Sequence, residues 1–275
     1  MSLTDPYRLF PTEPKTRAIA RALYETVADL PIISPHGHCD PRWFAENARF
    51  ENPAALFVVP DHYVFRMLIS QGVAPSDLGI PRIDGGSVET DPRAIWQRFA
   101  ANFHLFRATP SALWLNHSFE HVFGLTEPLN SDTAQSYYDH IESKLATPEF
   151  LPRALFERFN VEVLATTEGA LDDLEWHKQI SDSGWSGRVI TTYRPDAVVD
   201  PDFEGFAENL VTLGELTAED TTTWEGYLAA HRTRRAYFKA QGATASDHGH
   251  PSAATSNLAP ADARTLFETV RTGHA

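Results

Sequence analysis

His36 and His38 stand two residues apart in Leu30-Pro31-Ile32-Ile33-Ser34-Pro35-His36-Gly37-His38-Cys39-Asp40-Pro41. Side chains two apart on a strand point the same way, so both imidazoles can project together from its end. Two neutral imidazoles so placed can share a divalent metal, with further ligands from other strands. A bare His-x-His is more often two loop histidines touching solvent or backbone, and only accompanying motifs turn the balance. One candidate is Asp61-His62-Tyr63-Val64-Phe65-Arg66. On a helix, Asp61, His62 and Arg66 would crowd one end with Tyr63 beside them. The plainer alternative is a helix start in which Asp61 caps, His62 is exposed and Tyr63 packs on the core. Arg194, just before Pro195, suits bidentate capture of a substrate carboxylate, or equally an ion pair with Asp196. Asp247 and His248 come after Ser246, and His248 with His250 makes a second His-x-His that reads as a loose loop. Cys39 could lend a thiolate beside His36 and His38, although a free buried thiol is the commoner fate.

The elements that must position these groups can be read from periodicity. Ile19, Leu23, Val27 and Leu30 recur at helical spacing from Pro14 to Leu30, leading into a short buried strand over Pro31, Ile32 and Ile33. From about 42 to 159 the chain has little strand character. Helices are expected at Tyr63–Ser70, Pro92–Phe106, Thr133–Ala146 and Pro152–Phe159, divided by Pro- and Gly-bearing turns. A second strand is expected over Val161–Thr167 and then a helix carrying Leu171, Leu174, Trp176 and His177. A third strand over Arg188–Tyr193 ends in Arg194. Helices over Phe203–Leu213 and Thr217–Gln241 come next, the latter started by a capping-box-like Thr217 and Asp220 and stopped at Gly242. A fourth strand around Ala243–Ala245 delivers Ser246-Asp247-His248, and a helix over Ala261–Thr272 ends the chain.

Strands alternating with helices imply an α/β fold with a parallel sheet or barrel. In such folds the chemistry gathers at the C-terminal ends of the strands. Here these ends carry His36 and His38, then Thr166, Thr167 and Glu168, then Arg194 and Asp196, then Asp247 and His248. A (β/α)₈ barrel takes roughly 250 residues, and the helical insertion leaves only about 115 after it. Four strands rather than eight are therefore expected, which is half a TIM barrel in a single incomplete domain over 1–275.

Composition narrows the partners. The chain holds 23 basic and 37 acidic residues, a net charge of −14, and no basic run stands out. That argues against a nucleic-acid partner while leaving room for an acidic small substrate held by local arginines. One cysteine excludes an intrachain disulfide and suits a reducing compartment. With no secretory leader pattern and no apolar run of membrane-spanning length, a cytoplasmic protein without a membrane partner is expected. There is no Gly-rich phosphate loop, no Gly-x-Ser-x-Gly elbow and no Cys-x-x-Cys pair to support nucleotide, serine-hydrolase or zinc-ribbon chemistry.

In this order, the motifs resemble those of the uronate (glucuronate) isomerases of the amidohydrolase superfamily. The resemblance rests on Pro31–Pro41, Phe50-Glu51-Asn52, Asp61-His62-Tyr63 with Arg66, Thr166-Thr167, Leu174-Glu175-Trp176-His177, Arg194-Pro195-Asp196 and Ser246-Asp247-His248. It implies a metal-dependent-hydrolase-like (β/α)₈ TIM barrel, truncated to about half its strands and carrying a helical insertion after the first. It also implies interconversion of D-glucuronate with D-fructuronate, and of D-galacturonate with D-tagaturonate. By the same resemblance His36 and His38 bind a divalent metal, commonly zinc. His62, Tyr63, Arg194 and Asp247 line the uronate pocket, with Asp247 and Tyr63 as candidates for the base. The chain departs from the family where Thr166-Thr167-Glu168-Gly169-Ala170 stands in place of Thr-Thr-Asp-Asp-Pro. Family chains are also longer, with later strands that add a further histidine, an aspartate and an arginine. The expected partners are therefore a small uronate, and either a second copy of the chain or a complementing C-terminal fragment. The rivals are a metal-dependent hydrolase of the same superfamily and a non-catalytic fragment.

Overall fold

The computed structural model describes residues 2–250, 252 and 254–273. The chain divides into two compact units, residues 1–30 with 48–155, and residues 31–47 with 156–275.

The first unit is helical. It contains α1 (Pro14–Glu25) and, beyond β1 (Ile32–Ser34) and α2 (Pro41–Glu46) of the second unit, α3 (Pro53–Phe57), α4 (His62–Ser70), α5 (Pro92–Ala101), α6 (Pro110–His117) and α7 (Ala134–Leu145). Many of these helices start alike, with a side-chain cap and then proline at the first turn. Asn52, Asp91 and Thr109 each accept a hydrogen bond from the backbone of the next turn, ahead of Pro53, Pro92 and Pro110. Proline costs nothing there, because its missing N–H is one the helix would leave unpaired. The core is aromatic: Trp96, Phe99, Phe106, Phe119, Tyr137 and Tyr138 are fully buried. Trp96 Nε1–H donates to the carbonyl of Ala134 at 2.8 Å, so the indole is buried without an orphaned donor. A π-helical turn over Ser118–Val122 continues α6.

The chain passes into the second unit within α8 (Pro152–Arg158). Next come β2 (Val161–Gly169), α9 (Glu175–Asp182), β3 (Arg188–Arg194), α10 (Asp196–Val199), α11 (Phe206–Thr217), α12 (Trp224–Ala240) and α13 (Pro260–Arg271). The three strands form one parallel sheet in the order β1-β2-β3, with Ile33 opposite Val163 and Thr166 opposite Thr191. α9 and α12 pack on β3. One apolar cluster holds Tyr193, Leu213, Phe238 and Phe267, and another holds Phe44, Phe156, Ile180 and Val189.

Four expectations need correction. The fourth strand is a single parallel bridge between Tyr193 and Ser246, with Ala245 O accepting from Tyr193 N at 3.1 Å and Asp247 N donating back at 3.0 Å. Its Ala and Ser residues have little strand preference, so the pairing stops after one step. The first strand is not buried: Ile32 and Ile33 are 50% and 63% exposed. β1 is an edge strand, and an apolar sequence does not say whether anything covers it. Ile19, Leu23, Val27 and Leu30 are likewise exposed, and α1 buries none of its residues. Finally, Thr217 ends α11 rather than starting a helix, and α12 is capped by Thr223, whose Oγ1 accepts from Gly226 N at 3.1 Å.

Candidate active site

β1 ends at Ser34, and the turn after it carries the two imidazoles side by side. Nε2 of His36 and Nε2 of His38 are 2.9 Å apart, with ring centroids at 4.7 Å. Nδ1 of His36 lies 2.6 Å from Oδ2 of Asp247. The backbone bridge at Tyr193 brings Asp247 there, so a residue more than two hundred positions downstream closes on the first strand end. Gly37 approaches β2 closely: a Cβ on it would sit 3.3 Å from the carbonyl of Ala165.

The same loop also holds the arginine. Arg194 Nε donates to Oδ2 of Asp196 at 2.8 Å, and Oδ1 of Asp196 accepts from the N–H of Gly249 at 2.8 Å. The ion-pair alternative for Arg194 is therefore realised, yet it uses only one donor, Nε, and no hydrogen bond of Nη1 or Nη2 is seen among the described residues. A guanidinium held by one edge keeps its two terminal nitrogens for a carboxylate. Asp196 is buried, which raises its carboxyl, but the Gly249 and Arg194 donors outweigh that and hold it below its ordinary value.

β2 sorts its polar residues to opposite faces. Thr166 and Glu168 share one face, and Thr167 between them points the other way, to the carbonyl of Gly37 at 3.5 Å. Thr166 donates to Glu168 Oε2 at 2.8 Å and accepts from His177 of α9 at 2.9 Å, while Thr191 donates to the same carboxylate oxygen. Thr166, Thr191 and His177 are buried. Burial pushes the Glu168 carboxyl up despite its two hydroxyl donors, and pushes the His177 imidazole down. Both shifts favour neutral forms, so the 3.6 Å approach of His177 to Glu168 belongs to a polar network rather than an ion pair. Of the three polar residues expected at this strand end, Thr167 alone lies toward the His-x-His turn; the other two face the helix layer. Strand alternation could have sorted them.

Other candidates settle locally. His248 contacts Ser246 Oγ at 3.1 Å and stacks on His250 with centroids 5.6 Å apart, so the second His-x-His is a stacked loop pair. Cys39 packs beside Phe44 and Val189, and burial raises its thiol, the outcome of a free buried cysteine. In the first unit, Asp61 caps α4 by accepting from Tyr63 N at 2.8 Å and Val64 N at 3.2 Å. His62 is exposed, and its ring lies 4.3 Å from that of Tyr63. Tyr63 is 65% exposed instead of packing on the core, because α4 buries the Val64 and Leu68 face, one residue round the helix.

Two nitrogens 2.9 Å apart can both reach a single ion at the usual zinc–nitrogen length of about 2.0–2.1 Å, so His36 and His38 fit as two ligands of one metal. Among the described residues no group of three or more His, Cys, Asp or Glu side chains is arranged to hold a metal. The pair therefore makes part of a ligand set. No helix among the described residues is long and apolar enough to cross a membrane.

An α/β protein with a parallel sheet and polar side chains gathered at its strand ends is the class that fold and site define. Within that class the chain belongs to the glucuronate isomerase family, whose sequence model matches residues 15–275. It is 62% identical over 273 residues to a uronate isomerase of Mesorhizobium japonicum and 57% identical to one of Rhizobium meliloti. Both matches cover 99% of this chain and 58% of the relative, so the chain spans little more than half the length of these proteins. A solved glucuronate isomerase from Caulobacter crescentus superposes with a TM-score of 0.93 at 51% identity, covering 99% of this chain and 57% of that one. A uronate isomerase from Thermotoga maritima gives 0.83 at 28% identity, covering 93% and 55%. The relatives named are isomerases, and the hydrolase alternative is not favoured.

Proposed function

We propose that this chain is part of a uronate isomerase, built on about half of a (β/α)₈ barrel. The reaction interconverts D-glucuronate with D-fructuronate and D-galacturonate with D-tagaturonate by moving a proton between C2 and C1. The observation that carries the reading is the meeting of His36, His38 and Asp247 beside the loop that anchors Arg194, in a chain of this family. His36 and His38 are the residues to hold a divalent ion, with zinc the first choice. Bound there, it would supply Lewis-acid stabilisation for negative charge developing on a substrate oxygen. Arg194 offers its terminal nitrogens to the C6 carboxylate, which fixes the sugar's orientation. His62 is the second substrate-binding residue of this reading. Asp247 and Tyr63 are the candidates to take the proton from C2 and return it at C1, through an enediol-like species.

The partners that go with this reading are a small uronate and the part of the family chain that the match leaves uncovered; nucleic acid and membrane are not among them. A cytoplasmic setting suits a chain with one cysteine. The purified 275-residue chain should form little or no ketose from D-glucuronate in a colorimetric assay. The family resemblance places a further histidine, aspartate and arginine of the site outside the matched span. Robust turnover would contradict that incompleteness. Zinc bound after dialysis should fall to background when His36→Ala is combined with His38→Ala, and unchanged metal content would rule out the ligand assignment.

A further inference from the structure

Asp247 and His38 address different atoms of the same ring. Oδ2 of Asp247 is 2.6 Å from Nδ1 of His36, whereas Nε2 of His36 faces Nε2 of His38 at 2.9 Å. A neutral imidazole carries one proton, and an ionised carboxylate can only accept. The proton of His36 must then sit on Nδ1, which leaves Nε2 with a bare lone pair. The 2.9 Å contact accordingly runs from Nε2–H of His38 to Nε2 of His36.

The carboxylate is held where it is by its own backbone. Asp247 N donates to Tyr193 O at 3.0 Å, and two residues on, Gly249 N donates to Asp196 at 2.8 Å. Oδ2 itself is buried and has no other hydrogen-bond partner among the described residues. A buried carboxylate oxygen aimed at one ring nitrogen and nothing else is placed to govern that ring.

We propose that Asp247 is a positioning residue for His36. It keeps the proton on Nδ1 and so turns an unprotonated Nε2 toward the point shared with His38, where a divalent cation would take it. This rests on the metal reading above and stands whichever of Asp247 and Tyr63 moves the substrate proton. It gives the two histidines unequal parts. His36 is set in its ligating tautomer beforehand, and His38 must move its proton from Nε2 to Nδ1 when a cation binds.

The test is the tautomeric state of both rings in the ¹⁵N-histidine-labelled chain, read from long-range ¹H–¹⁵N correlations at about pH 8, above the ordinary imidazole range. Each ring is assigned by its loss in His36→Gln or His38→Gln. Without metal, His36 should be the Nδ1–H form and His38 the Nε2–H form. Saturating Zn²⁺ should leave His36 unchanged and convert His38. Asp247→Ala should mix the tautomers of His36 and weaken Zn²⁺ binding about 10–100-fold, measured against a chromophoric chelator. Asp247→Asn, which keeps a neutral acceptor and nearly the same shape, should recover part of both and serves if the alanine variant does not fold. An unchanged His36 tautomer in both variants would overturn the proposal and leave the metal reading intact. A wild-type chain that takes up no Zn²⁺ would overturn the metal reading, while the tautomer comparison still decides the role of Asp247.

Discussion

Gly249 shows how much of the site depends on one small residue. A Cβ there would lie 3.0 Å from Oδ2 of Asp196 and 3.2 Å from Nη2 of Arg194. Neither neighbour is backbone, so the chain should tolerate Gly249→Ala, but the guanidinium has to give way. The terminal nitrogen that moves is one of those left for the substrate. D-glucuronate binding measured by calorimetry should weaken about tenfold, the order expected when one charge-assisted hydrogen bond is misplaced. Unchanged affinity would remove Arg194 from the carboxylate-binding role. Single residues were legible in the sequence to the extent that their chemistry is local. Asp61 is a cap because a helical run begins at the very next residue, and the buried fate of Cys39 reflects its apolar neighbours. The contact between His36 and Asp247 was not legible, because it spans 211 positions and depends on where a single backbone bridge falls.

Elements were legible where both their start and their stop are written in side chains. The helices expected from Pro92 and from Pro152 begin at those prolines, and β2 and β3 run where β-branched residues cluster. Reading failed at Thr217–Thr223, where two threonines compete to cap one helix. Thr217 spends its hydroxyl on Leu213 O at 2.7 Å inside α11, and Thr223 does the capping. Thr223→Ala should therefore cost ~1 kcal/mol. That corresponds to a melting temperature about 2–4 °C lower in a domain of roughly 150–250 residues. An unaltered melting curve would show that the cap adds nothing to α12. The cluster between β2, β3 and α9 makes a second prediction. Glu168 has a folded pKa above its unfolded value, so the folded state is penalised as pH rises from the unfolded value through the folded one. Glu168→Gln keeps an acceptor for Thr166 and Thr191 without the charge. Its melting temperature should exceed that of the unsubstituted chain at neutral pH, and the gain should vanish below the ordinary glutamate range. His177 shifts the opposite way: its neutral form is the folded one, so its contribution is present above the ordinary imidazole range and lost on acidification. A Glu168→Gln gain that grows toward acid would contradict the burial of an ionised carboxyl.

At the scale of the whole molecule, each unit leaves an apolar face open. In one, β1 pairs on a single edge and exposes Ile32 and Ile33; in the other, α1 exposes Ile19, Leu23 and Tyr24. Fully burying such a side chain contributes about 1.5–3 kcal/mol, so half-exposed ones forgo roughly 1 kcal/mol each. Summed over either face that is several kcal/mol, set against a net stability of about 5–15 kcal/mol for a typical domain. A free strand edge adds unpaired backbone donors and acceptors, and soluble proteins rarely leave such an edge apolar. The sequence pattern supplied the apolar stripes but not their cover, because periodicity records which side chains should be buried and says nothing of by what. The proposed cover is the part of the relatives that lies outside the 58% matched here. Mixed with that segment of the Mesorhizobium protein, the chain should form a one-to-one complex by light scattering, melt at a higher temperature and begin to form ketose. Ile33→Lys, which puts a charge on the strand edge, should weaken the complex without unfolding the sheet, since Ile33 is already exposed. A chain that stays monomeric and ignores the added segment would contradict this. Self-association that persists in its presence would assign the faces to a second copy instead. Recovery of turnover is the decisive readout, because non-specific apolar contact can raise a melting temperature but cannot supply the further histidine, aspartate and arginine.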